Sequence, residues 1–287
     1  MSSRLPVRKT YKLFIGGAFP RSESGYTYVV SDHRGGFLAN AAKASRKDAR
    51  DAVEAATKAQ PGWANRTAYN RGQILYRIAE MLEGRREQFV TEVLAAEGGS
   101  RDDAQRQVDA SIDRWVWYAG WADKLAQVLG GANAVSGPYF DFSVPEPTGV
   151  IAVVAPPGSS LLGLVSVLAP VIVSGNTAVV VTSPHLAIPA MTLAEVLATS
   201  DLPAGVVNLL TGDPVDTLPS LAAHTGVNGI DLTGVEDPDL ATAWEREAAV
   251  NLKRVRRPGP VDWFGEPGLT RMTTFIETKT VWHPIGL

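Results

Sequence analysis

Few residues of this 287-residue chain are equipped for covalent or redox chemistry. It contains no cysteine, which removes thiolate nucleophiles, disulfides and sulfur-ligated metals together. The four histidines, His33, His185, His224 and His283, are scattered without an HExxH spacing, so no zinc site is expected. Gly158-Ser159-Ser160 is small enough to form a nest of backbone N–H groups for an anion at a helix N-terminus. The alternative is a turn that only needs small residues. It is not the GxSxG elbow of serine hydrolases, because the flanking spacing is wrong. Asp231 and Glu236 lie near a strand end, where a carboxylate is expected to be solvated or to cap the next helix.

The elements that must position these residues follow from hydrophobic periodicity. Lys12-Leu13-Phe14-Ile15 before Gly16-Gly17 predicts a short strand entering a turn. Ser45 and Asp48 are spaced to cap a helix carrying Ala52, Val53, Ala56 and Ala59 before Pro61. Residues 67–96 repeat apolar positions at helical spacing up to Gly98-Gly99, and a third helix is expected over residues 102–129. Its stripe of Val108, Ile112, Trp115, Tyr118 and Leu125 reads as core packing rather than a cofactor box. Beyond Gly137 the pattern changes. Residues 150–154, 177–181, 206–209, 229–232 and 252–255 are strand-like, with helices between them. Five strands alternating with four helices imply an α/β fold, a doubly wound parallel five-stranded sheet. Such sheets bind ligands beyond the carboxyl ends of their strands. Yet neither GxGxxG nor GxxxxGK(S/T) stands at any strand end.

Composition narrows the class. With 45% hydrophobic and 20% charged residues the chain can bury a core. A net charge of -3 argues against a nucleic-acid partner. The most apolar stretch, residues 149–173, is interrupted by Pro156-Pro157-Gly158 and Pro170, so it reads as strand plus buried helix and not as a membrane span. Residues 1–12 are basic without the apolar core of a signal peptide, from which a cytoplasmic location is expected.

Several segments, in order from Leu13 to Val255, resemble the aldehyde dehydrogenase superfamily. They are Gln60-Pro61-Gly62-Trp63-Ala64, Arg71-Gly72-Gln73-Ile74-Leu75-Tyr76-Arg77, Tyr118-Ala119-Gly120-Trp121-Ala122-Asp123-Lys124 and Glu146-Pro147-Thr148-Gly149-Val150. Ala169-Pro170 with Gly175-Asn176-Thr177, and Leu202-Pro203-Ala204-Gly205-Val206-Val207-Asn208 with Thr211-Gly212, complete the set. Residues 271–282 resemble the family's extreme C-terminus. The resemblance implies a cofactor domain of that family with N-terminal helices, a small β oligomerisation arm and no catalytic domain. The chain is identified as a truncated member similar to the inactive second half of double-domain aldehyde dehydrogenases. The implied organisation is residues 1–136, a helical part; 137–149, an arm strand; 150–256, the Rossmann-like core; 257–270, a linker in place of the catalytic domain; and 271–287, the C-terminal oligomerisation strand.

Against that resemblance, the departures fall on the family's chemistry. Its Pro-Trp-Asn, whose Asn is an oxyanion donor, reads Pro156-Pro157-Gly158 here. Loss of such a donor typically costs ~10²–10³ in rate. Its Lys-Pro-Ser-Glu, which holds the adenosine ribose, reads Val181-Thr182-Ser183-Pro184. Its Phe-Thr-Gly-Ser, at the pyrophosphate, reads Leu232-Thr233-Gly234-Val235, and Pro258 stands at the general-base glutamate. The candidate NAD(P) contacts that remain are Ser183, Gly212, Thr233 and Gly234. The resemblance implies that residues 138–144 and 277–282 form the arm, with Phe140, Phe142, Thr278, Lys279, Val281 and Trp282 as interface candidates. No catalytic residue is assigned. The expected function is a pseudoenzyme, an assembly or regulatory subunit of a full-length aldehyde dehydrogenase, with a homodimer as the second partner choice. The alternative is an NAD(P)-dependent oxidoreductase component of that family, or a dinucleotide-binding sensor.

Overall fold

The computed structural model describes residues 8–286; residues 1–7 of the basic N-terminal stretch and Leu287 lie outside them. Along the chain, β1 (Thr10–Tyr11), β2 (Thr27–Ser31) and β3 (Phe37–Ala42) form a small sheet in the order β1-β3-β2. The sequence reading has an extended start here, with one short strand at residues 12–15, and the structure makes it a three-stranded sheet. Its hairpin closes on Asp32, whose carboxylate accepts the backbone N–H groups of Arg34 and Gly36 at 2.8 and 2.7 Å. Phe14 forms only an isolated antiparallel bridge to Leu209, where a short strand was expected.

Helix α1 (Arg46–Ala64) begins with a capping box between Ser45 and Asp48. It runs through Pro61 instead of stopping there. Trp63 explains the extra turn: its indole Nε1 donates to the Ile172 carbonyl at 2.9 Å inside the core, which fixes the end of the helix. The span 67–96 is two helices, α2 (Ala68–Glu83) and α3 (Arg86–Glu97). The break falls at Gly84, a residue that costs about 1 kcal/mol in a helix interior. It leaves Arg85 free to pair with Glu195 at 3.0 Å. The span 102–129 is likewise divided, at Gly120, into α4 (Arg101–Ala119) and α5 (Leu125–Leu129).

Next come β4 (Gly131–Asn133) and β5 (Tyr139–Pro147), and then the doubly wound unit. It comprises β6 (Val150–Val154), α6 (Leu162–Val173), β7 (Thr177–Val181), α7 (Ala187–Ala198), β8 (Val207–Leu210), α8 (Pro214–Ala223), β9 (Gly229–Asp231), α9 (Pro238–Ala249) and β10 (Arg254–Arg256). The five strands are all parallel, in the order β10-β9-β6-β7-β8. The last strand starts two residues later than expected, and Leu252 is exposed with a positive φ of 54°. Short α10 (Thr270–Thr273) and long β11 (Ile276–Pro284) end the described chain.

Alternation along the strands sorts the core into two layers. Ile151, Val153, Ala178, Val180 and Leu209 face one layer, built with α2, α3, α4, α6 and α7. Val150, Ala152, Val154, Val179, Val181 and Leu210 face the other, with α1, α8 and α9. Both faces of the sheet are therefore covered, as a parallel sheet requires. Every residue of α6 is buried, and only Ser166 among them is polar. Close approach of α1 to the loop before β8 depends on Gly205, where a Cβ would sit 2.6 Å from the Ala55 carbonyl oxygen.

Strands β4, β5 and β11 form a third sheet in the order β11-β5-β4. The β5–β11 ladder is antiparallel over nine residues, from Ile276 opposite Pro147 to Pro284 opposite Tyr139. The two segments read as arm strands thus pair with each other within one chain. Arg254 on β10 ties this sheet to the parallel one, its guanidinium donating to both Glu277 carboxylate oxygens.

Candidate functional site

The strand order reverses between β6 and β9, and a cleft of about 400 Å³ opens beyond their carboxyl ends. Pro156, Pro157 and Gly158 form one wall, Thr233 and Val235 another, and Pro258, Val261 and Trp263 close it from the linker. Of the four candidate cofactor contacts only Thr233 lines this cleft. Its backbone N–H donates to Asp231 at 2.8 Å and its hydroxyl donates to the same carboxylate oxygen. Gly234 is pressed against the Ala155 backbone, where any Cβ would collide with the carbonyl oxygen. Gly212, with φ +129°, packs against Lys43 and Ala44, which precede the N-cap of α1. Ser183 is buried at the end of β7 and begins a single 3-10 turn without donating or accepting a cap bond.

The Gly158-Ser159-Ser160 nest is filled from within. The Glu97 carboxylate accepts the Ser160 backbone N–H at 2.6 Å, and the Ser160 hydroxyl as well. Gln107 holds the same carboxylate at 2.6 Å. Ser159 accepts the Gly163 N–H of the first turn of α6 at 2.8 Å. An external anion would have to displace a charge already in place, which decides between the two readings of this turn in favour of a structural one. Gly158 is exposed, with open space where a side chain would stand.

Asp231 is not solvated, contrary to expectation. It is 2% exposed and sits 3.4 Å from the Arg271 guanidinium. Burial pushes its carboxyl upward by more than Arg271 and the Thr233 bonds lower it. Burial likewise depresses Arg271. Glu236 is exposed, and the cap of α9 is its neighbour Asp237.

A second cavity of about 270 Å³ lies behind Trp263, between α4, α6, α10 and the linker. Arg114, Arg256 and Arg271 all line it, with the Tyr118 ring beside them. Burial raises the Tyr118 phenol to about 12. No motif in the sequence groups these three arginines. A signal was available for one of them: Arg114 falls on the apolar stripe of α4, where a charged residue is out of place, and it is 8% exposed. Among the described residues no group of three or more histidines and carboxylates is placed to hold a metal.

On the arm, the register separates the six interface candidates onto two faces. Phe142 stands opposite Val281, on the same side as Phe140 and Lys279. Trp282 stands opposite Asp141, on the other side, with Thr278. The Phe140 and Phe142 rings are 5.4 Å apart, and Trp282 meets Tyr139 edge-on at 5.6 Å. Lys279 pairs with Glu146 at 3.0 Å across the ladder. Phe140 and Trp282 remain 51% and 59% exposed.

The sequence pattern of the Aldehyde dehydrogenase family matches residues 19–256. The chain belongs to the aldehyde dehydrogenase family. It is 29% identical to human Retinal dehydrogenase 2 over 254 residues, which is 86% of this chain and 48% of that protein. It is 30% identical to mouse Cytosolic 10-formyltetrahydrofolate dehydrogenase over 236 residues, or 80% of this chain and 26% of that protein. Its structure superposes on HpcC from Thermus thermophilus with a TM-score of 0.81 at 28% identity, covering 86% of this chain and 47% of that one. The chain thus spans about half or less of the aldehyde dehydrogenase relatives it matches. The match ends at residue 256, where β10 ends and the linker begins.

The family's dinucleotide finds few partners among these residues. Val181 is buried in the layer with Val154 and Leu210, Val235 packs in that same layer, and Pro184 has no N–H to give. The Thr233 hydroxyl is already committed to Asp231. The side chains that would hold ribose and pyrophosphate in the family's manner are therefore apolar or engaged, and the residues present do not fit the group.

Proposed function

We propose that this chain is a non-catalytic member of the aldehyde dehydrogenase family that works as an assembly or regulatory subunit, docking through the β4-β5-β11 sheet. One observation carries the reading: β11 is the edge strand of that sheet, and exposed aromatics stand on both of its faces. An open edge is a template for another strand, and clustered aromatics dominate interface energetics. The occupant we favour is a full-length aldehyde dehydrogenase subunit, with a second copy of this chain as the next choice.

Support for the non-catalytic half of the proposal comes from the residues. Aldehyde oxidation requires a thiolate, an oxyanion donor and a base to activate water. The chain has no cysteine, Gly158 stands at the donor position and Pro258 at the base. The isolated chain should oxidise no aldehyde with NAD or NADP and should hydrolyse no ester. Turnover above a mock-purified control would sink this half.

The assembly half is tested by purifying the chain alone and with a co-expressed full-length family member, with the mass of the eluting species measured by light scattering. A complex is expected, and deletion of residues 278–287 should release a monomer whose parallel-sheet domain stays folded by circular dichroism. A stable monomer before deletion, at micromolar concentration and without a partner, would overturn it.

A further inference from the structure

The cavity behind Trp263 has an unusual charge balance. Three guanidiniums line it, and the one buried carboxylate near them, Asp231, is shared with Thr233. Arg114 donates only to neutral acceptors: the Ser166 hydroxyl at 3.0 Å and the Trp263 and Gly265 carbonyls at 2.9 and 3.0 Å. Arg256 reaches only the Thr274 hydroxyl, at 3.5 Å. Asp262 and Glu266, on the linker, also line the cavity, but both are exposed at its solvent side and neither pairs with a guanidinium there.

Two donors are left over. Nε of Arg256 and Nη2 of Arg271 are both buried without a hydrogen-bond partner among the described residues. A buried charged N–H without an acceptor is among the costlier defects a fold can carry, and a chain seldom keeps two around one cavity. What is missing is an acceptor for each of these two donors, and guanidinium forks are matched to planar or tetrahedral oxyanions. The space, about 270 Å³, equals roughly nine water volumes, enough for more than a bare ion. Trp263 stacks on Arg271 with 5.4 Å between guanidinium carbon and ring centroid, and it also walls the switch-point cleft. A ligand here would therefore set the position of the linker that closes both cavities.

We propose that this cavity is a binding site for a small organic anion bearing a carboxylate or phosphate group, held by Arg114, Arg256 and Arg271 under the Trp263 lid. It adjoins the switch-point cleft, because Arg271 also donates to the Thr233 hydroxyl at 3.2 Å and Trp263 walls both spaces, and it does not depend on the arm.

The test is a titration of the full chain with inorganic phosphate, with a short dicarboxylate such as malonate, and with chloride as control, at constant ionic strength. Thermal midpoint and tryptophan fluorescence are followed together. Saturable stabilisation by phosphate or malonate but not chloride is expected, reaching roughly 5–10 °C at a hundredfold excess over Kd. Whichever anion saturates at lower concentration identifies the preferred headgroup. Arg256→Gln removes one unpaired donor and a charge while leaving the Arg271–Asp231 pair intact, and should weaken binding at least about tenfold. Trp263→Phe should remove the fluorescence change but keep the thermal one. No saturable response of the wild-type chain to either anion would overturn the proposal, whatever the variants do. So would unchanged affinity in a folded Arg256→Gln chain.

Discussion

The Glu97 carboxylate, at the last residue of α3, accepts the Ser160 backbone N–H at 2.6 Å and so places the chain's own negative charge at the turn into α6. That turn follows the central strand and faces the switch point, the place where a doubly wound sheet ordinarily meets an external ligand. Here the position is spent on joining α3 and α4 to α6 through Gln107 and Ser159.

Glu97→Ala should therefore destabilise the fold, by about 1–3 kcal/mol for buried donors left without an acceptor. Chemical denaturation of the variant checks this. An unchanged midpoint would mean that solvent satisfies Ser160 equally well.

Gly234→Ala tests whether that glycine is retained for packing. The added Cβ meets the Ala155 carbonyl, and β6 and the loop after β9 must separate to admit it. A loss of about 1–3 kcal/mol is expected from this overpacking, read from thermal or denaturant unfolding.

NAD and NADP should bind weakly. Each missing polar contact is worth roughly 1–3 kcal/mol, and Val181, Pro184 and Val235 remove three, so affinity should fall by about a hundredfold or more. Calorimetry that returned micromolar affinity would make the dinucleotide-sensor reading the better one.

Arg271→Ala would strip a buried carboxylate of its partner and leave Asp231 facing the core. A loss of about 3–5 kcal/mol is expected, and Asp231→Asn in the same chain should recover part of it. Denaturation of the single and double variants forms the cycle that measures the pair.

Acid should loosen the arm. The Arg254 guanidinium holds the Glu277 carboxyl below its ordinary value. A depressed carboxylate contributes stability that is present above the ordinary value of about 4.3 and is lost as pH falls through the lowered one. Both side chains are more than a third exposed, so the contribution is no more than about 1 kcal/mol. Hydrogen exchange of β11 amides should speed up below about pH 4 in the wild type, and Glu277→Gln should show the faster rate already at neutral pH.

The chain's local signals were sufficient for its main architecture. Continuous apolar runs at Val150–Val154 and Thr177–Val181, separated by helical periods, allow only a sheet buried on both faces. Ser45 and Asp48 marked the start of α1 because a capping box is a contact between near neighbours. Helix breaks at Gly84 and Gly120 were less legible, because apolar periodicity continues across a single glycine. The small β2–β3 sheet went unseen, although Asp32 with Gly35-Gly36 carried the turn chemistry. Tertiary structure alone decided the rest. Glu97 and Ser160 are 63 positions apart, Asp231 and Arg271 are 40, and no local pattern couples such pairs. Whether a charge is solvated, paired or stranded depends on what the fold packs around it. The sequence therefore supplies the arginines at 114, 256 and 271, but only their convergence on one cavity gives them a shared chemistry.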